Sequence, residues 1–302
     1  MKKIGIAALV SEQNYESFLN QNWPDQPFII HGLGESVREL TELSFLKSLD
    51  SLLNTWPFPV SAHLPDVRDE SSAIDTTTEN AKKLFSNHMG LLFNNVQRIS
   101  PVLQIWLKTI KLELGLPLST DSRCMVYATA DGKGTAPHFD QNINFVLQLH
   151  GTKTWWIEPN LSVENPTQRF TMNQAMDPEL DSYAESEMPT KMSTSREEVI
   201  LKPGSMLFVP RGYWHSTEAS GEALALNFTF SQPTWVDLFT AALRSRLLQS
   251  PDWRDHADGI NATDPERRKM AEIKFDHLLA ELVTDLPNWT AGEILAATEG
   301  DR

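Results

Sequence analysis

From Arg123 to Phe230 the hydrophobic positions come in short apolar or alternating runs, CMVYAT, INFVLQLH, TWWIE, SMLFVP and ALALNFTF, set apart by glycines, prolines and polar turns. Runs of that length and punctuation predict the strands of an all-β barrel or sandwich. Before and after this region the period is helical. Leu40, Leu43, Leu46, Leu49 and Leu53 mark one helix, with Ser36 and Glu39 spaced as a capping box ahead of it. Ser100 and Pro101 open another, followed by Leu103, Trp106, Leu107, Ile110 and Leu114. Past the β region, Thr234 caps a helix striped by Val236, Leu238, Phe239, Ala242, Leu243 and Leu247, which Pro251 stops. A polar linker leads to a helix from Pro265 to Asp285, and PNWTAGEILAATEG forms one more short helix.

The weaker patterns fill the gaps. Ile4 to Val10 predicts a terminal strand or short helix; with no small-residue cleavage pattern after it, it is not read as a secretory signal. Residues 14–19 predict a short helix, Phe28 to His31 a short strand, and WPFPVSAHLP an edge strand, since its prolines suit only an edge. VRDESSAIDTTTEN reads as an exposed loop, with His63 and His88 near its ends as surface or structural histidines. Residues 160–197 are a long acidic insertion carrying Asp177, Glu179, Asp181, Glu185 and Glu187, and so a lid, a substrate-binding insertion or a partly folded segment. The organisation expected is an N-terminal region of helices and strands over 1–120, a core over 121–232 and a helical region over 233–302. The last helices have apolar stripes that suit covering the sheet, a small helical domain or a homodimer interface.

Composition narrows the function classes. The apolar content of 40% and charged content of 22% over 302 residues are those of a globular protein with a large core. A formal net charge of −14 argues against direct nucleic-acid binding, which depends on lysines and arginines neutralising phosphates, and is compatible with a basic protein or peptide partner. Cys124 is the single cysteine, which excludes an intramolecular disulfide and suits a cytoplasmic location. No apolar run approaches the length of a membrane span.

The chemistry concentrates in two stretches. GKGTAPHFDQ places His138 and Asp140 two residues apart at the mouth of a strand, where side-chain direction repeats every second residue and both point the same way. LKPGSMLFVPRGYWHS supplies His215 after a punctuated strand. Two imidazoles and one carboxylate can occupy one face of a divalent metal such as Fe(II), Mn(II), Co(II) or Ni(II), leaving positions open for chemistry. The competing reading of either histidine is a buried structural residue. Lys153 follows a turn at His150 and Gly151 and sits beside Trp155 and Trp156; facing into a barrel, it requires an anion. Tyr127, Thr129 and Asn144 lie on strands that reach the same cavity.

PHFDQ, VLQLHGTKTW, LKPGSMLFVPRGYWHS and LNFTF together resemble the JmjC and cupin-like Fe(II)- and 2-oxoglutarate-dependent oxygenases, nearest to the ribosomal-protein hydroxylases and related protein hydroxylases. The resemblance covers about residues 123–232. It implies a mainly β fold with flanking helices around a double-stranded β-helix, or jelly roll, with His138, Asp140 and His215 as catalytic metal ligands. It also implies that Lys153 receives the distal carboxylate of 2-oxoglutarate, that Asn227 is a polar neighbour of the cosubstrate, and that dioxygen is the oxidant.

The expected activity is hydroxylation of a protein or peptide side chain, with the acidic insertion favouring a basic one. Demethylation uses the same oxidant on an N-methyl group. The alternatives are hydroxylation of a free amino acid or small metabolite, or a metal-binding cupin without catalysis. The long insertion and the lack of a winged-helix pattern at the C-terminus depart from the ribosomal hydroxylases. Trp155, Trp156, Trp214 and Trp235 are candidates to wall the pocket, although large aromatics more often fill a core.

Overall fold

A computed structural model describes residues 4–63 and 73–299. Lys2, Lys3 and the first part of the polar run, Val67 to Ser72, lie outside the described residues. The chain divides into two compact units, Met1–Leu116 with Thr120–Ser231, and Pro117–Ser119 with Gln232–Arg302.

Among the described residues the first unit is built on eleven antiparallel strands: β1 Phe28–Ile30, β2 Val60–His63, β3 Ile74–Thr76, β4 Gly90–Asn94, β5 Asp121–Thr129, β6 Gly134–Phe139, β7 Ile143–Glu158, β8 Phe170–Thr171, β9 Glu197–Leu201, β10 Met206–Val209 and β11 Trp214–Ser231. The sheet runs β1-β10-β7-β11-β5-β4-β2-β3, with β6 on β11, β8 on β6 and β9 on β7. The pair β7 and β11 spans both halves of the jelly roll, paired from Trp214 with Glu158 to Phe230 with Ile143.

Several runs separate in the sequence are joined here. INFVLQLH and TWWIE form one strand of 16 residues, and His215 and Asn227 share one of 18. The turn expected at His150 and Gly151 is instead a bulge: Gly151 has φ 66°, and the β7–β11 register shifts between Ser220 and Leu224. A left-handed glycine lets an extra residue enter a ladder without breaking it. The bulge also switches which side chains face inward. Before it, Asn144 and Val146 line the cavity; after it, Lys153 and Trp155 do. An unbroken alternation would keep even positions inward throughout.

The core beneath the sheet is aromatic. Phe145 packs on Phe208 with ring centroids 4.8 Å apart, Phe18 lies edge-on to both, and Trp106 stacks on Phe228. Trp106 comes from the helix Pro101–Glu113, which Ser100 caps as its sequence predicts. The leucine-spaced helix is broken: Arg38–Thr41, a single turn at Ser44–Leu46, and Leu49–Thr55 capped by Ser48 rather than Ser36. Its leucines still face inward, with Leu40, Leu46 and Leu53 buried, so periodicity of burial survives two breaks in the axis. The proline-flanked strand β2 is interior, between β4 and β3, because Pro57 and Pro59 precede the paired residues and β3 covers its outer edge. β3 and the helix Thr78–Ser86, capped by Thr77, replace the second half of the expected polar loop.

The insertion is partly folded. It carries β8 and the helix Pro178–Tyr183, and Val163, Phe170, Met172, Leu180 and Met192 form a cluster with Phe139 and Trp214.

The second unit holds the helices Trp235–Leu247, Pro265–Asp285 and Ala291–Glu299. Thr234 and Asp237 close a reciprocal capping box, and Arg246 makes a two-pronged ion pair with Asp285. The stripe on Pro265–Asp285 is mostly in solvent, with Met270, Ile273, Phe275 and Val283 more than half exposed and only Leu278 buried. No helix among the described residues is long and apolar enough to cross a membrane.

Candidate active site

His138 on β6 and His215 on β11 are direct partners in the ladder between those strands. Their ring centroids are 4.1 Å apart. Asp140, one residue beyond the end of β6, brings Oδ2 within 3.8 Å of His215 Nε2. One ligand atom from each of His138, Asp140 and His215 lies within 4.8 Å of the others, so the three can close on one ion.

The imidazoles are aimed by the backbone. His138 Nδ1 lies 2.7 Å from Ala136 O and His215 Nδ1 2.9 Å from Tyr213 O. A carbonyl only accepts, so each Nδ1 carries the proton and each Nε2 keeps its lone pair for the centre. Trp155 stacks on the His215 ring at 5.7 Å, which restricts its rotation.

Burial sets the charge states. Burial pushes the His215 imidazole down to about 4, His138 adds to that effect, and the attraction of Asp140 does not overcome it. For Asp140 burial works the other way, but His138, His215 and Arg169 together hold its carboxyl below the usual carboxylate range. The result near neutrality is an unprotonated His215 and an ionised carboxylate, the forms that bind a metal.

The cavity in front of these three is lined by Tyr127, Asn144, Lys153, Trp155 and Asn227, with Thr135 and Thr217 at one side. Lys153 is a buried lysine, 5% exposed. Asn144 Oδ1 accepts from Asn227 Nδ2 at 3.1 Å and Thr229 Oγ1 at 2.8 Å, and Asn144 Nδ2 approaches Asp140 Oδ2 at 3.4 Å. Asn227 Oδ1 is buried with no hydrogen-bond partner among the described residues. A cavity that holds a buried lysine fits an anionic small molecule, since a buried cation needs a counter-charge. The donor set therefore fits a divalent metal and the cavity fits a dicarboxylate.

Not every expected residue is brought here. Thr129 is buried on β5 but does not line the cavity, because it lies two positions, roughly 7 Å, along the strand from Tyr127. Of the tryptophans, Trp155 lines the cavity; Trp214 fills the cluster under the insertion, Trp156 points away to pair its Nε1 with Glu198, and Trp235 is 79% exposed in the second unit. Thr135, Thr217 and Arg169 were not legible beforehand. The two threonines bond to each other across β6 and β11, Oγ1 to Oγ1 at 3.0 Å, a relation that exists only once the ladder is known. Arg169 stands within the insertion in no motif, yet its Nε lies 3.2 Å from Asp140 Oδ1.

A jelly roll that carries two histidines and one carboxylate on one face, opposite a buried lysine, defines a mononuclear metal enzyme with open coordination positions. The comparisons agree. Residues 111–238 match the JmjC domain. The uncharacterized protein YxbC of Bacillus subtilis (strain 168) is 30% identical over 302 residues, which span 98% of this chain and 92% of that protein. Ribosomal oxygenase 1 of Bos taurus is 32% identical over 185 residues, 57% of this chain, and the match spans only 26% of that protein's length. The structure of YcfD, a ribosomal oxygenase from Escherichia coli in complex with cobalt and succinic acid, shares the fold with a TM-score of 0.51 at 16% identity, covering 94% of this chain and 69% of that one. This chain belongs to the JmjC-domain family of Fe(II)- and 2-oxoglutarate-dependent oxygenases. Its cofactors are accordingly Fe(II) and 2-oxoglutarate, with dioxygen as the oxidant.

Proposed function

We propose that this protein hydroxylates a protein or peptide side chain, with His138, Asp140 and His215 holding Fe(II) and Lys153 pairing with the distal carboxylate of 2-oxoglutarate. The observation that carries this reading is the convergence of the three ligand atoms within 4.8 Å at a cavity that also contains buried Lys153. Bound together, the metal and 2-oxoglutarate supply the oxidising power to place one oxygen atom of dioxygen on a C–H carbon, the other going to succinate as carbon dioxide leaves.

The protein's part is binding and aim. Nδ1 bonds to Ala136 and Tyr213 hold both imidazoles in one tautomer. Asn144, itself held by Asn227 and Thr229, steadies Asp140. Tyr127 and Asn227 line the cavity as polar neighbours of the cosubstrate. Val146, Val209 and Ala225 provide the apolar wall that limits water around it. Substrate position then decides which carbon reacts.

A protein substrate is favoured by the ribosomal oxygenases among the relatives. A basic segment is favoured by the net charge of −14 and by Asp177, Glu179, Asp181, Glu185 and Glu187, all exposed on the insertion. The exposed apolar stripe of Pro265–Asp285 supports a homodimer, checked by mass in solution as concentration is raised. The functional test is succinate formation by iron-loaded protein with ribosomal proteins of the same organism, a basic peptide library and free amino acids as separate arms. Succinate coupled to a protein or peptide gaining about 16 Da, the mass of one oxygen, is the expected result. Coupling only to a free amino acid, or metal binding without turnover in any arm, would replace it with one of the alternatives.

A further inference from the structure

Arg169 reaches the candidate metal centre from outside the jelly-roll motif. The strand β8 that follows it pairs with β6 in the register His138 with Thr171 and Phe139 with Phe170. Continuing that register by one residue sets Arg169 opposite Asp140. The placement is anchored on every side. Met172 N donates to Pro137 O at 2.9 Å, and Phe170 packs against both Phe139 and Trp214 at 5.9 Å. Just upstream, Arg211 donates to the carbonyls of Asn165 and Pro166, each at 2.8 Å, while Gly212 N donates to Asp140 O at 2.9 Å.

The two carboxylate oxygens are thereby divided. Oδ1 faces Arg169 at 3.2 Å, whereas Oδ2 faces His215 Nε2 at 3.8 Å. The division has a chemical consequence. A carboxylate can bind a metal through one oxygen or through both. With one oxygen, two histidines and Asp140 fill three of six octahedral positions; with two, they fill four. A bidentate cosubstrate and dioxygen together require three.

We propose that Arg169 is a positioning residue that engages Asp140 Oδ1, keeps the carboxylate monodentate, and so makes the insertion part of the metal centre. This rests on the metal assignment proposed above. Arg169 and Asp140 are 24% and 21% exposed at their side chains, so their pairing is partly shielded from water and geometrically constrained rather than a loose surface contact.

The test is Co(II) titration of the full chain, followed by the visible d–d absorption of the bound ion and by calorimetry. Arg169→Gln is compared with wild type, with Arg169→Lys and with Leu180→Ala, which opens the insertion's own apolar cluster without touching Asp140. The expected result for Arg169→Gln is a roughly 10- to 100-fold weaker affinity, the range for loss of an outer partner of a metal ligand. Its d–d bands should also change as the carboxylate becomes bidentate, with Arg169→Lys recovering part of the affinity and Leu180→Ala retaining it. Unchanged affinity and spectrum in Arg169→Gln would overturn the inference, leaving Arg169 as a clasp for the insertion. Tighter binding would overturn it too, since the guanidinium would then be competing with the ion. Equal losses in Arg169→Gln and Leu180→Ala would assign the effect to insertion docking instead. Failure of wild type to bind Co(II) would be a different failure, removing the metal assignment itself and this inference with it.

Discussion

His138 and His215 face each other as ladder partners across β6 and β11, their rings 4.1 Å apart and each Nδ1 bonded to the carbonyl two residues before it. Two lone pairs are aimed at one point by backbone carbonyls, with Trp155 stacked on the His215 ring. His138→Ala or His215→Ala is expected to weaken Co(II) binding by more than about 100-fold, beyond the loss from removing an outer partner. Calorimetric titration measures it, and a loss under tenfold would mean that the ion sits elsewhere.

Lys153 lies on the far half of β7 and is buried in the same cavity. Lys153→Ala should leave metal affinity intact and weaken 2-oxoglutarate binding about 10- to 100-fold, the equivalent of one charge-assisted hydrogen bond of about 1.5–3 kcal/mol. Titration of the Mn(II)-loaded protein without oxygen separates the two affinities.

Acid should destabilise the metal-free protein earlier than its carboxylates alone predict. The His215 imidazole is near 4 in the fold against 6.5 when free, so between those values the unfolded chain binds the additional proton. Stability therefore rises with pH through this window and is lost as pH falls from 6.5 toward 4, by about 3 kcal/mol for the one group. Asp140, held below the usual carboxylate range, adds a loss in the same direction at lower pH. Denaturant midpoints of wild type and His215→Phe between pH 4 and 7 measure the slope, which should flatten in the variant.

Gly151 makes a further prediction. A Cβ there would meet Glu222 O at 2.0 Å, in a backbone conformation at φ 66° that side chains resist. Gly151→Ala should cost on the order of 3 kcal/mol through steric overlap and backbone strain. Because the bulge turns Lys153 inward, the variant should also weaken 2-oxoglutarate binding more than metal binding. Equal effects on both would mean a general loss of fold.

That His138, Asp140 and His215 would come together was expected from a His-X-Asp at a strand mouth, a histidine after a punctuated strand and, above all, the resemblance of PHFDQ and LKPGSMLFVPRGYWHS to the JmjC and cupin-like oxygenases. The Pro101–Glu113 and Pro265–Asp285 helices were readable from local signals, the first from Ser100 and Pro101 at its start, both from a proline in the first turn and apolar spacing within. What stayed hidden depends on pairing. The continuity of β7 through Gly151 looks like a turn until β11 is laid beside it, since glycine serves both uses. The broken helix between Arg38 and Thr55 kept its leucine spacing, which periodicity cannot distinguish from one straight axis. Arg169 is placed by a two-residue strand, too short to carry any pattern of its own.

Between Asp140 and His215 the chain runs through β7, the insertion, β9 and β10. An ion held by His138, Asp140 and His215 would close that whole stretch into a loop, and its binding energy would become folding energy for the strands that hold it. At an ion concentration one hundred times its dissociation constant the gain is about 2.7 kcal/mol. The same ion that equips the enzyme for oxidation therefore also works as a staple, and a chelator should loosen the molecule along the seam between β6 and β11.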